Sequence, residues 1–311
     1  MPRRPLQRIQ ATTVARRYFV ERQTKIQIAE DLGISRFKVA RLIEEAVEAG
    51  LVRFEIDETG EIDAQLSDQL RRKYGLRNAL ILAGPDLPCS ALFEPLGRAA
   101  ASLLEEILTD GCVLGVAWGR TLAATAKAIS RLPKISVVQV AGGLTTLEFP
   151  QNSADLVSRM AAAGDGTAYP IFLPMWVEDA SLVKRLRTEP SVAQVLERYD
   201  RIDVLVSGIG SWNPPVSCLY DAFSKAWKRQ VLAAGVRADL CATLIDDTGG
   251  VVPSPLDKVG LALNAKQIRR IPERVAIAGG LEKASAILAA LKGKWITTLV
   301  TDAGVARRLL E

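Results

Sequence analysis

From residue 75 onward the sequence repeats one pattern, in which a short apolar segment ends near a glycine and a helical segment follows it. The apolar segments predict strands at 79–83, 112–117, 136–141, 204–207, 240–245, 274–278 and 296–300. The helical segments predict helices at 92–108, 120–129, 281–291 and 302–310. Apolar strands that alternate with helices are typical of a mostly parallel sheet covered by helices on both faces. The pattern therefore predicts a mostly parallel α/β domain over residues 75–311.

The turns that follow these strands are candidate binding sites, because ligands of such sheets bind outside the carboxyl ends of the strands. Four turns combine glycine with hydrogen-bond donors, namely GVAWGRT at 115–121, AGGLTT at 141–146, SGIGS at 207–211 and AGGLEK at 278–283. A helix that begins in such a turn leaves backbone N–H groups free for an anion. One such glycine is more often only a tight turn. Four at one sheet edge, together with Arg120 and Lys283, favour a phosphate-bearing ligand.

The first 56 residues predict a helix-turn-helix. Helices are predicted at 6–21, 25–32 and 36–46, with Thr24 and Ser35 as N-cap residues. A helix-turn-helix needs a small residue in its first helix, a glycine four positions later and apolar residues inside its second helix. The residues at these positions are Ala29, Gly33, Val39 and Leu42.

The start of the second helix of this motif is basic and carries hydroxyl groups, which suits the base edges and phosphates of a DNA major groove. The residues predicted to contact DNA are Thr24, Ser35, Arg36, Lys38 and Arg41. Residues 1–56 also carry a net charge of +4, whereas the remainder carries +1. An ordinary helical hairpin is the alternative, although it needs no basic residues there. The alternating segment 51–56 resembles the wing of a winged helix-turn-helix.

Several classes of protein are excluded or disfavoured by what the sequence lacks. The chain contains no histidine, which excludes Ser-His-Asp and Cys-His catalysis and histidine-ligated zinc. Neither a Walker-type phosphate loop nor a G-x-G-x-x-G after a strand is present, so no nucleotide cofactor is expected. Four widely spaced cysteines are expected to be free thiols. We also expect no metal site, no catalytic residue, no membrane segment and a cytoplasmic location.

The motifs "IAEDLGISRFKVARLI", "GVAWGRTL", "VVQVAGGL", "LIDDTGGVV" and "VAIAGGLEKASAILAALKG" resemble, in this order, those of the SorC (sorbitol operon regulator) family, sometimes grouped with deoxyribonucleoside regulators. The resemblance implies a DNA-binding domain at 1–56, a linker helix at 57–74 and a sugar-phosphate-sensing and oligomerisation domain at 75–311. It also implies that the last domain is similar in fold to glucosamine-6-phosphate deaminase and ribose-5-phosphate isomerase. The linker helix either helps the DNA-binding domains to dimerise or is simply solvated.

The resemblance, together with the glycine turns, assigns a binding site for a phosphorylated sugar or polyol effector. The predicted residues are Gly119, Arg120, Thr121, Gly142, Gly143, Gly208, Gly210, Asp246 and Lys283. Within this set the resemblance implies that Asp246 accepts hydrogen bonds from sugar hydroxyls and that Lys283 pairs with phosphate. Trp176 and Trp212 either line the pocket or belong to the core or a subunit interface. The chain has Ala238-Asp239 where the family often has Gly-Asp.

Three functions remain open on the sequence alone. The first is a transcription regulator, a homodimer or homotetramer, whose affinity for operator DNA is controlled by the effector. The second is a sugar-phosphate isomerase or deaminase-like enzyme with an appended DNA-binding domain, in which Asp246 or Asp247 is the base. The third is a structural DNA-binding protein whose larger domain only oligomerises, which would leave the glycine turns and Lys283 without a purpose.

Overall fold

The computed structural model describes residues 5–53, 61–144 and 153–311. The chain divides into two compact units, Met1–Asp57 and Glu58–Glu311, called here the small unit and the large unit. Each unit has its own apolar core, and each is described by itself.

The small unit is a bundle of three helices, α1 (Pro5–Phe19), α2 (Lys25–Leu32) and α3 (Arg36–Glu48). Thr24 caps α2 in a reciprocal capping box with Gln27, and Gly33 ends α2 in the left-handed region at φ 61°. The helix-turn-helix prediction is confirmed in its helices and its turn. Residues 51–53 form no strand, and the rest of the predicted wing lies outside the described residues.

Buried apolar side chains on all three helices hold the small unit together. They are Ala11, Val14, Ala15, Ile28, Ala29, Val39, Leu42, Ile43 and Ala46. Ala29 is small enough for α3 to pack closely against α2, and Val39 and Leu42 form the inner face of α3, as the spacing predicts.

The large unit combines helices with two sheets. Its helices are α4 (Ala64–Tyr74), α5 (Phe93–Ile107), α6 (Arg120–Ala128), α7 (Ser153–Ala162), α8 (Ala180–Thr188), α9 (Pro190–Leu196), α10 (Cys218–Ala222), α11 (Lys225–Ala233), α12 (Leu256–Val259), α13 (Ala265–Arg270), α14 (Ala284–Lys292) and α15 (Ala303–Leu310). Its strands are β1 (Asn78–Leu82), β2 (Val113–Val116), β3 (Ser136–Gln139), β4 (Thr167–Tyr169), β5 (Val204–Gly208), β6 (Gly210–Trp212), β7 (Pro215–Val216), β8 (Val236–Leu240), β9 (Thr243–Asp246), β10 (Glu273–Ile277) and β11 (Thr298–Asp302).

The main sheet is parallel and has the strand order β1-β11-β10-β5-β2-β3-β4. Its central strands are almost wholly buried because helices cover both faces, as the apolar segments predict. The predicted α/β fold class is confirmed. Strands β10, β5 and β2 are neighbours, so the turns that follow them meet at one edge of the sheet.

A second, antiparallel sheet has the order β7-β6-β8-β9 and was not foreseen. The single strand predicted at 240–245 is wrong, because the chain reverses at Cys241 and Ala242 between β8 and β9. Both residues have positive φ, 48° and 66°, in a turn without glycine. The reversal places β8, and Asp239 on it, beside β6.

The segment predicted as a linker helix differs from that prediction. From Ala64 onward it is α4, which packs against the large unit through the fully buried Leu70. The Tyr74 hydroxyl donates to the Leu309 carbonyl at 2.7 Å, which ties α4 to α15. Residues 57–60 lie outside the described part of the chain. Helix α4 is therefore part of the body of the large unit.

Candidate functional site

A cleft lies at the carboxyl ends of β2, β5 and β10, with about 570 Å³ of empty space when the solvent at its mouth is included. Residues of the antiparallel sheet and of α10 complete its wall. Six of the nine predicted effector residues line it, namely Gly119, Arg120, Thr121, Gly208, Gly210 and Lys283. The glycine turns after three neighbouring strands thus converge on one cavity, whereas the described residues of the turn after β3, 140–144, do not line it.

One side of the cleft is the N-terminus of α6. Gly119 precedes this helix at φ 142°, in a conformation that L side chains rarely adopt, and offers no side chain to cap it. The first N–H groups of a helix have no acceptor within it, so those of Arg120 and Thr121 are available to an anion. The exposed Arg120 guanidinium lies 4.9 Å from the centre of the Phe93 ring. A phosphate here would meet backbone N–H groups, a helix dipole and a cation together.

Lys283 brings a second cation to the cleft. It ends the turn after β10, in which Gly280 has a φ of 93° and donates its N–H to the Asp302 carboxylate at 2.8 Å. The Lys283 ammonium donates to the carbonyl of Ile209 at 2.8 Å, between the two glycines of the β5 turn. Because an ammonium has three donors, this bond fixes the side chain and leaves others for a ligand.

A buried carboxylate, Asp239, also lines the cleft, and the sequence analysis did not select it as a site residue. Its Oδ1 accepts hydrogen bonds from the Trp212 indole at 2.8 Å and from the Ser217 hydroxyl at 2.5 Å. Burial raises the pKa of Asp239 above the usual value of a carboxyl group, against the lowering effects of Ser217, Trp212 and the Lys283 charge. An acid within the apolar run of β8 was the signal that could have found it.

Position 210 must be glycine because the Asp239 carboxylate lies close to its backbone. A Cβ at Gly210 would lie 2.2 Å from Oδ1 of Asp239 and 2.5 Å from Oγ of Ser217. Gly208 has no such neighbour and leaves its backbone open to the cleft. Gly210 therefore allows close packing against Asp239, whereas Gly208 leaves the backbone accessible to a ligand in the cleft.

Neither of the two tryptophans named as candidates lines the cleft. Trp212 is buried, and its ring packs edge-on against Tyr220 and Phe223. Trp176 packs against Phe223 and Trp227 in the same aromatic cluster. The structure therefore favours the alternative in which these tryptophans belong to the core or to a subunit interface over the one in which they line the cleft.

Two thiols, Cys218 and Cys241, face the cleft. Burial raises the pKa of both, that of Cys241 to about 12, so the Cys241 thiol stays protonated near neutral pH. All four cysteines are free, as the spacing predicts. A protonated thiol is a weak nucleophile, which makes these side chains wall residues rather than reactive groups.

Gly142 and Gly143 are not brought to the cleft. Their N–H groups already donate to the carbonyls of Leu261 at 2.8 Å and Leu173 at 2.7 Å. A Cβ at Gly142 would lie 2.4 Å from the carbonyl oxygen of Pro174. Gly142 therefore allows a neighbouring segment to approach closely, and the N–H groups of both glycines are not free for an anion.

Asp246 does not line the cleft either. Its Oδ1 accepts from the N–H and hydroxyl of Thr248 at 2.8 and 2.7 Å and from the N–H of Gly250 at 2.9 Å. The hydrogen bond from the Thr248 side chain is the largest of the effects that lower the pKa of Asp246. This side chain stabilises the turn after β9, and Asp239 is the carboxylate that the cleft contains.

The small unit carries its predicted DNA-binding residues at the N-cap of α2 and in the first half of α3. Thr24 and Ser35 act as helix caps, with Ser35 accepting from the Lys38 N–H at 3.2 Å. Arg36, Lys38 and Arg41 are exposed, and Arg41 pairs with Glu45 at 3.5 Å. Three cations on the exposed face of the first half of α3 form a surface that suits a polyanion.

A model of a protein family described as "Putative sugar-binding domain" matches residues 60–311. The chain belongs to the SorC family of sugar-binding transcriptional regulators. This SorC-family chain is 26% identical over 300 residues to the deoxyribonucleoside regulator of Bacillus subtilis (strain 168), covering 96% of each protein. It is 27% identical over 303 residues to the sorbitol operon regulator of Klebsiella pneumoniae, again covering 96% of each.

A solved structure shows the same fold. The full-length sorbitol operon regulator SorC from Klebsiella pneumoniae matches with a TM-score of 0.75 at 24% sequence identity. The match covers 98% of this SorC-family chain and 99% of that protein, so it includes both units. The match of the family model to residues 60–311, together with these relatives, confirms the predicted resemblance to the family.

Within ranges 5–53, 61–144 and 153–311, no group of three or more cysteine, aspartate or glutamate side chains could hold a metal ion. In the same ranges no helix has the length and apolar character needed to cross a membrane.

Proposed function

We propose that this chain is a transcription regulator whose affinity for operator DNA is controlled by a phosphorylated sugar or polyol bound in the cleft of the large unit. The observation that carries the proposal is the composition of that cleft. It combines the free N-terminus of α6 and two cations, Arg120 and Lys283, with the buried carboxylate of Asp239. An anion-binding group and a hydroxyl-binding group in one cavity match the two ends of a sugar phosphate.

The phosphate group is assigned to the α6 end of the cleft. Arg120 supplies planar donors, Lys283 supplies a point charge, and the first turn of α6 supplies backbone N–H groups. Hydrogen bonds to a charged group are worth about 1.5–3 kcal/mol each when they are well formed. These contacts support a preference for the phosphorylated ligand over the free sugar.

The hydroxyl groups of the ligand are assigned to Asp239. Its Oδ1 is engaged by Trp212 and Ser217, and no hydrogen bond to Oδ2 is found among the described residues. Oδ2 is not among the buried side-chain atoms that lack a partner, so it keeps accessible surface at which a ligand hydroxyl can donate to it. Loss of that hydrogen bond disfavours analogues that lack the hydroxyl.

Control of DNA binding requires that the effector binds two arrangements of the protein with different affinity. We assign the change to a homodimer or homotetramer, because paired helix-turn-helix units read two half-sites about one helical turn, or a multiple of it, apart. The proposed operator contacts are Thr24, Ser35, Arg36, Lys38 and Arg41 at the start of α3 and at the cap of α2.

The enzyme alternative is disfavoured by the surroundings of its candidate bases. The Asp246 carboxylate accepts hydrogen bonds within its own turn. Asp247 is paired with the Arg237 guanidinium, and its Oδ2 lies 3.0 Å from Nη2 of Arg237. The relatives reported above are named as regulators. Incubation with sugar phosphates and measurement of turnover distinguish the two functions.

The proposed effector class is tested by thermal unfolding of the full-length protein with pairs of ligands. Each pair consists of a phosphorylated aldose, ketose or polyol and its unphosphorylated form, with inorganic phosphate as a further probe. A ligand that binds only the folded state raises the Tm. We expect at least one phosphorylated compound to raise the Tm far more than its unphosphorylated form does. Equal shifts within every pair, or no shift at all, contradict the proposed effector class.

A further inference from the structure

Two large apolar side chains on α3 are exposed, Val47 near its end at 37% and, to a much greater degree, Phe37 near its start. Phe37, the second residue of the helix, has 72% of its surface exposed, although other apolar residues of the helix, such as Val39 and Leu42, are buried. Exposure of a phenyl ring to water costs free energy that contact with an apolar group would recover. A partner that covers the Phe37 ring with an apolar group would therefore gain binding free energy.

The surroundings of Phe37 indicate what kind of partner that is. Residues of an α-helix are about 100° apart, so Phe37 projects from the side of α3 opposite its buried stripe. Arg41, four residues later, lies on that same side. The Arg36 guanidinium lies 4.9 Å from the centre of the Phe37 ring, and Lys38 is the next exposed residue. The ring is an apolar point within a cationic surface.

Duplex DNA has a matching surface in its major groove. The floor of the groove carries one apolar group, the C5-methyl of thymine, and the walls carry phosphates. We propose that Phe37 packs against the C5-methyl group of a thymine and thereby specifies a T·A pair at one position of each half-site. This inference rests on the proposed DNA-binding function of the small unit and adds a base-reading residue to it.

A second copy of the chain is a less suitable partner for the ring. A two-fold interface brings the same surface of both copies together, so the cations at 36, 38 and 41 would face their own equivalents. Like charges that face each other across an interface are unfavourable. The phosphates of DNA neutralise those cations instead.

The test removes one methyl group from the DNA and one ring from the protein. A preferred duplex is first selected from a randomised pool with the full-length protein. Each thymine is then replaced by deoxyuridine, which lacks only the methyl group. At one thymine per half-site we expect about four-fold weaker binding, the change that burial of one methyl group implies. Phe37→Ala should bind the thymine and deoxyuridine duplexes equally.

Val20→Ala is the matched control, because Val20 is also 72% exposed in the small unit but lies outside α3. This variant should keep the four-fold preference for thymine. The inference about Phe37 is wrong if no replacement of a thymine weakens binding by the wild type, or if Phe37→Ala still prefers thymine to deoxyuridine. Either result leaves the proposed DNA-binding function intact. If the wild type selects no duplex at all, the proposed function fails together with the inference.

Discussion

The ammonium group of Lys283 is hydrogen-bonded to the backbone carbonyl of Ile209 at 2.8 Å. This bond joins the turn after β10 to the turn after β5 and holds the charge at the cleft. Because the side chain is already held in place, it loses little further conformational entropy when its other donors bind a phosphate.

Replacement of Lys283 by alanine should weaken binding of the phosphorylated effector about ten- to hundred-fold, because a charged hydrogen bond to phosphate is lost. Isothermal titration calorimetry with the compound that gives the largest thermal shift measures this change. The control is Lys292→Ala, which removes an exposed cation from α14 outside the cleft and should leave the affinity unchanged. Equal affinity of Lys283→Ala and the wild type would mean that the phosphate binds elsewhere.

The two carboxylates of the β8–β9 hairpin region should differ in their effect on the effector. Asp239→Asn keeps an oxygen for Trp212 and Ser217 but replaces Oδ2 with an amide nitrogen, so it should reduce affinity about ten-fold because the acceptor for the ligand hydroxyl is lost. Asp246→Asn keeps an acceptor for Thr248 in a turn that asparagine tolerates, so affinity should change by about two-fold or less. Titration of both variants with the same ligand decides which carboxylate serves it, and the reverse order of effects would return that role to Asp246.

Asp239 should also give the protein a pH-dependent stability. Its pKa in the folded state is raised by burial above the reference value of 3.8, so the folded state binds this proton more tightly than the unfolded chain does. The stability that depends on this proton is therefore present at low pH and is lost as pH rises from about 3.8 through the folded pKa.

Asparagine at position 239 has no such proton to lose. The Tm of Asp239→Asn minus that of the wild type should therefore increase with pH across this window and then become constant. Thermal unfolding of the ligand-free proteins in steps from about pH 4 to about pH 8 measures the difference. A difference that does not change with pH would show that burial does not raise this pKa.

Cations of α3 should dominate the salt dependence of DNA binding. Each phosphate contact contributes about −0.9 to the slope of log K against log salt concentration, so Arg36→Ala/Lys38→Ala should reduce its magnitude by about 2 for each small unit bound. The double variant Arg8→Ala/Arg16→Ala removes two exposed cations of α1 instead and is the control. Fluorescence anisotropy at several salt concentrations gives the slopes. An unchanged slope in the α3 variant would mean that another surface contacts the phosphates.

Much of the fold was predictable because the local sequence patterns favour the same elements that the tertiary structure contains. Apolar strands followed by helices imply a parallel sheet, and Gly33 between two capped helices implies the helix-turn-helix. The hairpin at Cys241 and Ala242 was not predictable in the same way, because two non-glycine residues adopt positive φ there. The sequence rules for such a turn look for glycine or asparagine.

The site was predictable where a residue follows a parallel strand. Gly119 and Lys283 follow this rule and reach one cleft. Gly142 also obeys it but is used for close packing against Pro174, a difference that only the tertiary structure reveals. Asp239 lies on β8, an antiparallel strand of which only Leu240 fell within the predicted strand 240–245, so the rule could not indicate it.

The central claim is that the effector acts on DNA binding through the cleft, and one titration tests it most directly. The Kd of the selected duplex is measured with and without the phosphorylated ligand, at a concentration that saturates the wild type but not Lys283→Ala. The wild-type Kd should change by about five-fold or more, a typical coupling between two sites, while that of Lys283→Ala stays at the ligand-free value. A Kd that the ligand leaves unchanged in the wild type, or changes equally in both proteins, would contradict the account.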